Sequence, residues 1–225
     1  MTSPDQIAAD HAVAGRYDEA IPLFELSLAK HLRTLGADHP DTMTTRSNLA
    51  TAYMLAGRAD DAIHLHQQTL TDRRRVFGPA HPDTVGSRKA LAHAYVFAGR
   101  ASLAIPLYEQ VLADRLQTLG PEHPDTLMAQ ENVATAYITA GRLDDAIRLH
   151  EQTLAKQWRL LGKQHPDALS SCANLAFAYL SAGRLNDAIR LYEPTLALCE
   201  RILGPDHPHT VTIRNNLASA YEERG

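Results

Sequence analysis

Along this chain, alanine, tyrosine and aliphatic positions return every 42 residues. With each copy numbered so that Gly15 is position 15, position 8 is alanine six times (Ala8, Ala50, Ala92, Ala134, Ala176, Ala218). Position 11 is Tyr53, Tyr95, Tyr137, Tyr179 and Tyr221, with His11 in the first copy, and position 7 is aliphatic from Ile7 to Leu217. At about 100° per residue, positions 4, 7, 8 and 11 share one sector of a helix, and positions 2, 6, 9 and 13 share the opposite one. The first sector is the expected core and the second the expected polar face. A second apolar stripe follows in each copy, where Ala20, Ile21, Leu23 and Leu28 recur without exception. This predicts a second helix packed between helices of the first kind. We label the two A and B.

The segments between the stripes carry helix punctuation. Gly15, Gly57, Gly99, Gly141 and Gly183 are each followed by arginine, and each separates an A from a B pattern. His39-Pro40-Asp41-Thr42 and its counterparts beginning at His81, His123, His165 and His207 follow a second set of glycines, Gly36, Gly78, Gly120, Gly162 and Gly204. Glycine just past a helix suits the left-handed cap, and proline at the first helical position gives up only a donor that has no intrahelical partner. Aspartate after it suits the positive end of the helix dipole. The expected repeats are 1-36, 37-78, 79-120, 121-162 and 163-204, with a terminal helix over 205-225, in a single array spanning 1-225. The first A helix lacks the His-Pro start and is expected to begin at Ser3, with Pro4 at its first position and Gln6 completing a capping box. Pro22 and Pro106 are expected in the first turn of their helices, where they cost little. Pro194 falls four positions later in its copy and is expected to kink the fifth B helix.

Composition narrows the class. With 44% hydrophobic and 21% charged residues the chain is neither disordered nor collagen-like. No apolar run approaches the roughly 18 residues of a membrane helix, and the start, Met1 to Gln6, has neither a basic nor a greasy stretch, so a cytoplasmic protein without a membrane partner is expected. The 22 basic and 26 acidic side chains give a net charge of −4, so no nucleic acid is expected as partner. Cys172 and Cys199 lie inside helical patterns without CxxC spacing and read as packed thiols.

The strings Asn-Leu-Ala-x-Ala-Tyr, Ala-Gly-Arg, Asp-Asp-Ala-Ile, Leu-Gly and His-Pro-Asp-Thr together resemble the tetratricopeptide repeat. More narrowly they resemble its 42-residue form in kinesin light chains and many bacterial regulators. The resemblance covers essentially the whole chain without insertions. It implies an all-α, right-handed superhelical solenoid of helix-turn-helix repeats. In such arrays the A helices line the concave face, and asparagines at position 6 contact bound peptide.

That position is Asn48, Asn132, Asn174 and Asn216, with Ala90 as the exception. Asparagine inside a helix is worse than alanine by up to about 0.7 kcal/mol, so something offsets the cost. Its amide offers donors and an acceptor that suit the backbone of an extended peptide; the competing reading is that the amides bond to adjacent helices. Position 9 varies through Thr51, His93, Thr135, Phe177 and Ser219, and position 13 through Leu55, Phe97, Thr139 and Ser181. A common grip flanked by varied neighbours is what peptide recognition needs. The expected function is a non-enzymatic scaffold binding a peptide segment or partner protein in the concave groove. Its expected contacts are the four asparagines together with Thr51, His93, Thr135, Phe177, Leu55 and Phe97. The alternative is a sensor or regulatory module of a larger signalling protein such as a nucleotide-switched ATPase.

No residue pattern calls for catalysis, a metal or a cofactor. Successive turn histidines should stand about a helix-packing distance apart, roughly 8 to 10 Å, too far to share a zinc ion. His64 and His66 face different ways on a helix, and His207 and His209 lack a third ligand. Gly-x-Ser-x-Gly and phosphate-loop motifs are missing. Asp60-Asp61 and Asp144-Asp145 open B helices, where the dipole explains them, and Arg73-Arg74-Arg75 fan around a helix as a solvated face. At the C-terminal end, Val211, Leu217, Ala218 and Tyr221 have no following B helix to cover them. The chain is therefore expected either to be part of a longer array or to form a homodimer through its C-terminal helix.

Overall fold

The computed structural model describes residues 3–225; Met1 and Thr2, part of the start read for a leader and of the first expected repeat, lie outside them. The described residues form eleven α-helices and no strand: α1 (Pro4–Val13), α2 (Tyr17–Thr34), α3 (Pro40–Leu55), α4 (Ala59–Phe77), α5 (Pro82–Phe97), α6 (Ala101–Leu119), α7 (Pro124–Thr139), α8 (Leu143–Leu161), α9 (Pro166–Ser181), α10 (Leu185–Ile202) and α11 (Pro208–Arg224). Odd-numbered helices are the A helices and even-numbered ones the B helices. The chain divides into two compact units, Met1–Val111 and Leu112–Gly225.

The Gly-Arg turn shows why position 11 is tyrosine. After α3, Gly57 takes a positive φ of 81°, the Arg58 N–H donates to the Tyr53 carbonyl at 2.8 Å, and the Gly57 N–H donates to Met54 at 3.0 Å. This is the Schellman arrangement, which satisfies carbonyls left open at a helix end and requires a left-handed residue. Arg58 then lies 4.1 Å from the Tyr53 ring centre, so the tyrosine and the arginine are two halves of one cap. Its Nε donates to Asp61 at 2.8 Å, and the Tyr53 hydroxyl donates to Glu25 of the preceding B helix. Unit 2 repeats the device: Arg184 stacks over Tyr179, the Tyr179 hydroxyl donates to Glu151 at 2.6 Å, and Arg184 donates to Asp187 at 2.8 Å.

In the second glycine column, Gly78 and Gly162 depart from the left-handed cap expected of them. Gly78 has φ 88° and ψ 166°, a mirror-image extended conformation that is essentially glycine's alone. It redirects the chain into the next His-Pro start, where the His81 Nδ1 accepts from the Asp83 N–H at 3.2 Å. His39, His123, His165 and His207 cap their helices in the same way. The turn histidines thus fill the N-cap role more usually taken by serine or aspartate. At α1, Ser3 accepts from the Gln6 N–H at 3.2 Å as expected, but the Gln6 amide bonds forward to Asp10 at 3.0 Å, so only half of the capping box forms.

The B helices begin directly after the Gly-Arg turn, which places Pro22 and Pro106 well inside α2 and α6 rather than in their first turns. Both helices, and α10 around Pro194, continue unbroken. All three prolines face solvent, where water can satisfy the carbonyl each deprives of a partner.

Within unit 1, consecutive helices from α1 to α5 pack together and α3 also meets α1 and α5; within unit 2, α9 meets α7 and α11 in the same manner. Alanine at position 10 lets A helices come this close: Ala52 and Ala94 in unit 1, and Ala136, Ala178 and Ala220 in unit 2, are at most 2% exposed. Between the layers, Ile21, Phe24, Leu49 and Tyr53 build the core of unit 1 around Ala8 and Ala20, and Leu169, Tyr192, Cys199 and Ile213 build that of unit 2. Burying one such large side chain stabilises the fold by about 2 kcal/mol. Cys172 and Cys199 are buried free thiols. On α11, Leu217 packs half-buried onto the unit 2 core, whereas Val211 and Tyr221 are exposed.

Candidate partner-binding site

The expected contact residues fall into two groups. In unit 1, Asn48, Thr51, Leu55, His93 and Phe97 are all exposed, and in unit 2 so are Thr135 and Phe177. Phe97 is 54% exposed, Leu55 46% and Phe177 43%. The second group is the rest of the asparagine column, where Asn132, Asn174 and Asn216 are half-buried. Asn174 Nδ2 donates to Glu131 at 2.9 Å, and Asn216 Nδ2 donates to the Tyr192 hydroxyl at 3.2 Å. For these two, the amides bond to adjacent helices.

Glu131 was not singled out by the sequence pattern, and it lines a cleft of unit 2. It sits on α7 at position 5, where the other full-length A helices carry Ser47, Lys89, Ala173 and Asn215. Its Oε1 accepts from Ser171 Oγ at 2.9 Å and its Oε2 from Asn174. His150 Nδ1 of α8 lies 3.0 Å from Oε2, at ion-pair distance but turned away from good hydrogen-bond geometry. Burial pushes the carboxyl up. The neighbouring His150, Asn174 and Ser171 outweigh burial and hold Glu131 below the ordinary carboxylate range. It is an anion at neutral pH with only 12% of its side chain exposed.

Around it opens a cleft of about 530 Å³ between α7, α8 and α9. Leu127, Met128, Leu160 and Leu161 give it apolar walls, while Gln157, Asp167 and Ser171 add polar groups. Glu122 on the rim is paired with Arg159. Gln157 is 6% exposed, and its Oε1 has no hydrogen-bond partner.

Three of the acidic side chains at the starts of B helices are paired with neighbouring arginines: Asp61 with Arg58, Asp145 with Arg142, and Asp60 with Arg100. The arginine run corrects one expectation. Arg74 and Arg75 are exposed, but Arg73 is only 9% exposed. Its guanidinium turns inward because Ser87 Oγ, Thr44 Oγ1 and the Asp83 carbonyl receive it at 2.9, 3.2 and 3.3 Å. Among the described residues no group of three His, Cys, Asp or Glu side chains is placed to hold a metal ion, and no helix is long and apolar enough to cross a membrane.

Stacked helix pairs with one face of exposed, variable side chains define the α-solenoid repeat proteins. Within that class the tetratricopeptide repeat model matches residues 1–71, 41–117, 91–157 and 167–225, and the chain belongs to the tetratricopeptide repeat family. Among curated proteins no relative matches. Among solved structures the chain is similar to a Podosopora anserina protein assigned to the kinesin light chains and built of nearly identical TPR-like repeats. Identity is 33% and the TM-score 0.79, over 88% of this chain and 94% of that one. A variant of the same protein matches at 32% and 0.79, over 89% and 98%. BtubC (BKLC) from P. vanneervenii, at 22% identity and a TM-score of 0.71 over 93% of this chain and 84% of that one, shares the fold. Tetratricopeptide repeats are in general protein-interaction scaffolds, and proteins built of them are typically non-enzymatic.

Proposed function

We propose that the protein is a non-enzymatic scaffold whose A-helix face, in each unit, takes an extended segment of a partner protein. The observation that carries this reading is the contrast between neighbouring columns. From the second copy onward position 10 is buried alanine, while one residue before it and three after it Phe177, Leu55 and Phe97 stand in solvent. Large apolar side chains left exposed beside a packed seam are available for burial against a partner. Asn48, exposed on the same face, can grip a peptide backbone; Asn174 and Asn216 instead brace neighbouring side chains. The net charge of −4 favours a protein partner over nucleic acid.

Site-specific crosslinking tests the reading. Benzoylphenylalanine in place of Thr51, Phe97, Thr135 or Phe177 should trap one and the same partner protein, and in place of the exposed B-helix residues Lys30 or Arg148 should trap none. Equal trapping from both faces, or none from the A face, would overturn it. If the trapped partner were a domain of the same polypeptide, the alternative of a module within a larger signalling protein would be the correct one.

A further inference from the structure

The repeats can be superposed by register, and one cavity then stands out because its counterpart is filled from within. In unit 1 the guanidinium of Arg73 lies among Thr44, Ser87 and the Asp83 carbonyl. Two repeats later, 84 residues on, these positions are Gln157, Met128, Ser171 and Asp167. All four line the cleft of about 530 Å³. Glutamine is shorter than arginine and uncharged, so the space that the Arg73 guanidinium fills is left open.

The same exchange leaves an acceptor without a donor. At His31 and Arg73 the side chain at this position bonds the hydroxyl at position 3 of the next repeat: His31 with Thr45 at 3.2 Å, and Arg73 with Ser87 at 2.9 Å. At Gln157 that hydroxyl belongs to Ser171, which is committed to Glu131. Gln157 Oε1 therefore remains buried and unpaired, at a cost that a bound donor would remove. Glu131 adds a buried carboxylate in place of Ser47, so the cleft presents acceptors and negative charge where unit 1 holds a cation. Its remaining walls, Leu127, Met128, Leu160 and Leu161, match an aliphatic stem rather than a wholly polar group.

We infer that this cleft is a recognition pocket for an arginine side chain of a partner, whose guanidinium occupies in trans the place that Arg73 fills in cis. The planar fork of arginine can reach Glu131 and Gln157 together while its methylenes lie along Met128 and Leu160. This rests on the reading that the A-helix face receives a partner segment, and it specifies one anchor of that segment.

The test titrates the full chain with acetyl-Ala-Leu-Arg-Leu-Ala-amide and with the same peptide carrying citrulline, which keeps the shape and removes the charge. Amide shifts of Met128, Gln157, Ser171 and Asn174 are followed by NMR. The arginine peptide should give saturable shifts at these residues, and the citrulline peptide should bind at least tenfold more weakly. Glu131→Gln should reduce binding of the arginine peptide by a similar factor. Gln157→Arg, which places a guanidinium of the chain itself in the cleft as Arg73 does in unit 1, should abolish binding while the remaining spectrum stays folded; it keeps the test decisive even if Glu131→Gln unfolds. Equal affinity for both peptides, undiminished binding by Gln157→Arg, or no shifts at the cleft overturns the pocket. In each case the crosslinking result at Thr51, Phe97, Thr135 and Phe177 still decides the broader reading separately.

Discussion

His66 shows how one residue can report on the stack it sits in. Position 24 is Phe24, His66, Tyr108, His150 and Tyr192, and every one is at most 3% exposed. Burial, with Arg73 and His93 nearby, pushes His66 down from 6.5 to about 4, so the folded protein holds it neutral. A depressed pKa means that the folded state resists protonation. The stability tied to His66 is fully present above about pH 6.5 and is lost as pH falls towards 4. The shift corresponds to about 3 kcal/mol as an upper figure. In denaturant titrations His66→Phe should flatten the loss of stability between pH 6.5 and 4 and raise stability at pH 5, because phenylalanine already fits this column at Phe24. An unchanged pH profile would show that other groups govern acid unfolding. The tyrosine caps act at the other end of the scale: burial and Glu25 push Tyr53 up to about 12, so its contribution holds below pH 10 and fades as pH rises through 12.

At the scale of the element, each repeat is delimited by two glycines with different conformations, and they should respond differently to substitution. Gly78 lies at φ 88° and ψ 166°, with open space where a Cβ would be, so the cost of alanine there is backbone strain alone. Gly78→Ala should destabilise by about 1–3 kcal/mol without a change in core packing, measured as a lower denaturation midpoint at constant slope. The B helices illustrate the opposite case. Pro22, Pro106 and Pro194 occupy helix interiors and are tolerated because their faces are exposed. A proline pattern read from spacing alone misjudged Pro22 and Pro106 by a turn, because the helix start depends on how tightly the preceding Schellman turn closes.

For the whole molecule, the two units carry the same plan with different consequences. Unit 1 fills its inter-helix space with Arg73, while unit 2 leaves the corresponding space as a cleft around Glu131. The terminal helix α11 leaves Val211 and Tyr221 exposed while Leu217 packs onto the core. If the homodimer expected through this helix forms, light scattering should show mass rising with concentration. Val211→Glu should suppress that rise without loss of stability, whereas Leu217→Glu would confound the two because Leu217 is part of the core. A constant monomer mass at high concentration would remove the two-fold contact.

The period, the helix pairs, the proline starts of the A helices and the buried faces were legible in the sequence. They depend on spacing along one helix and on turn residues a few positions apart, and both recur in every copy. The all-α solenoid and its family follow from those local rules. Which polar side chains meet across repeats was decided by the tertiary structure. Glu131, Ser171 and Asn174 come together over about one repeat of separation, and whether an amide faces a partner or braces a carboxylate depends on what stands opposite it. The asparagine column looks uniform in sequence, yet Asn48 is exposed while Asn174 and Asn216 are engaged. Arg73 looked like part of a solvated run, yet Thr44 and Ser87 draw it inward. A column repeats the residue but not its surroundings, and hydrogen bonding in a confined space is settled by those surroundings.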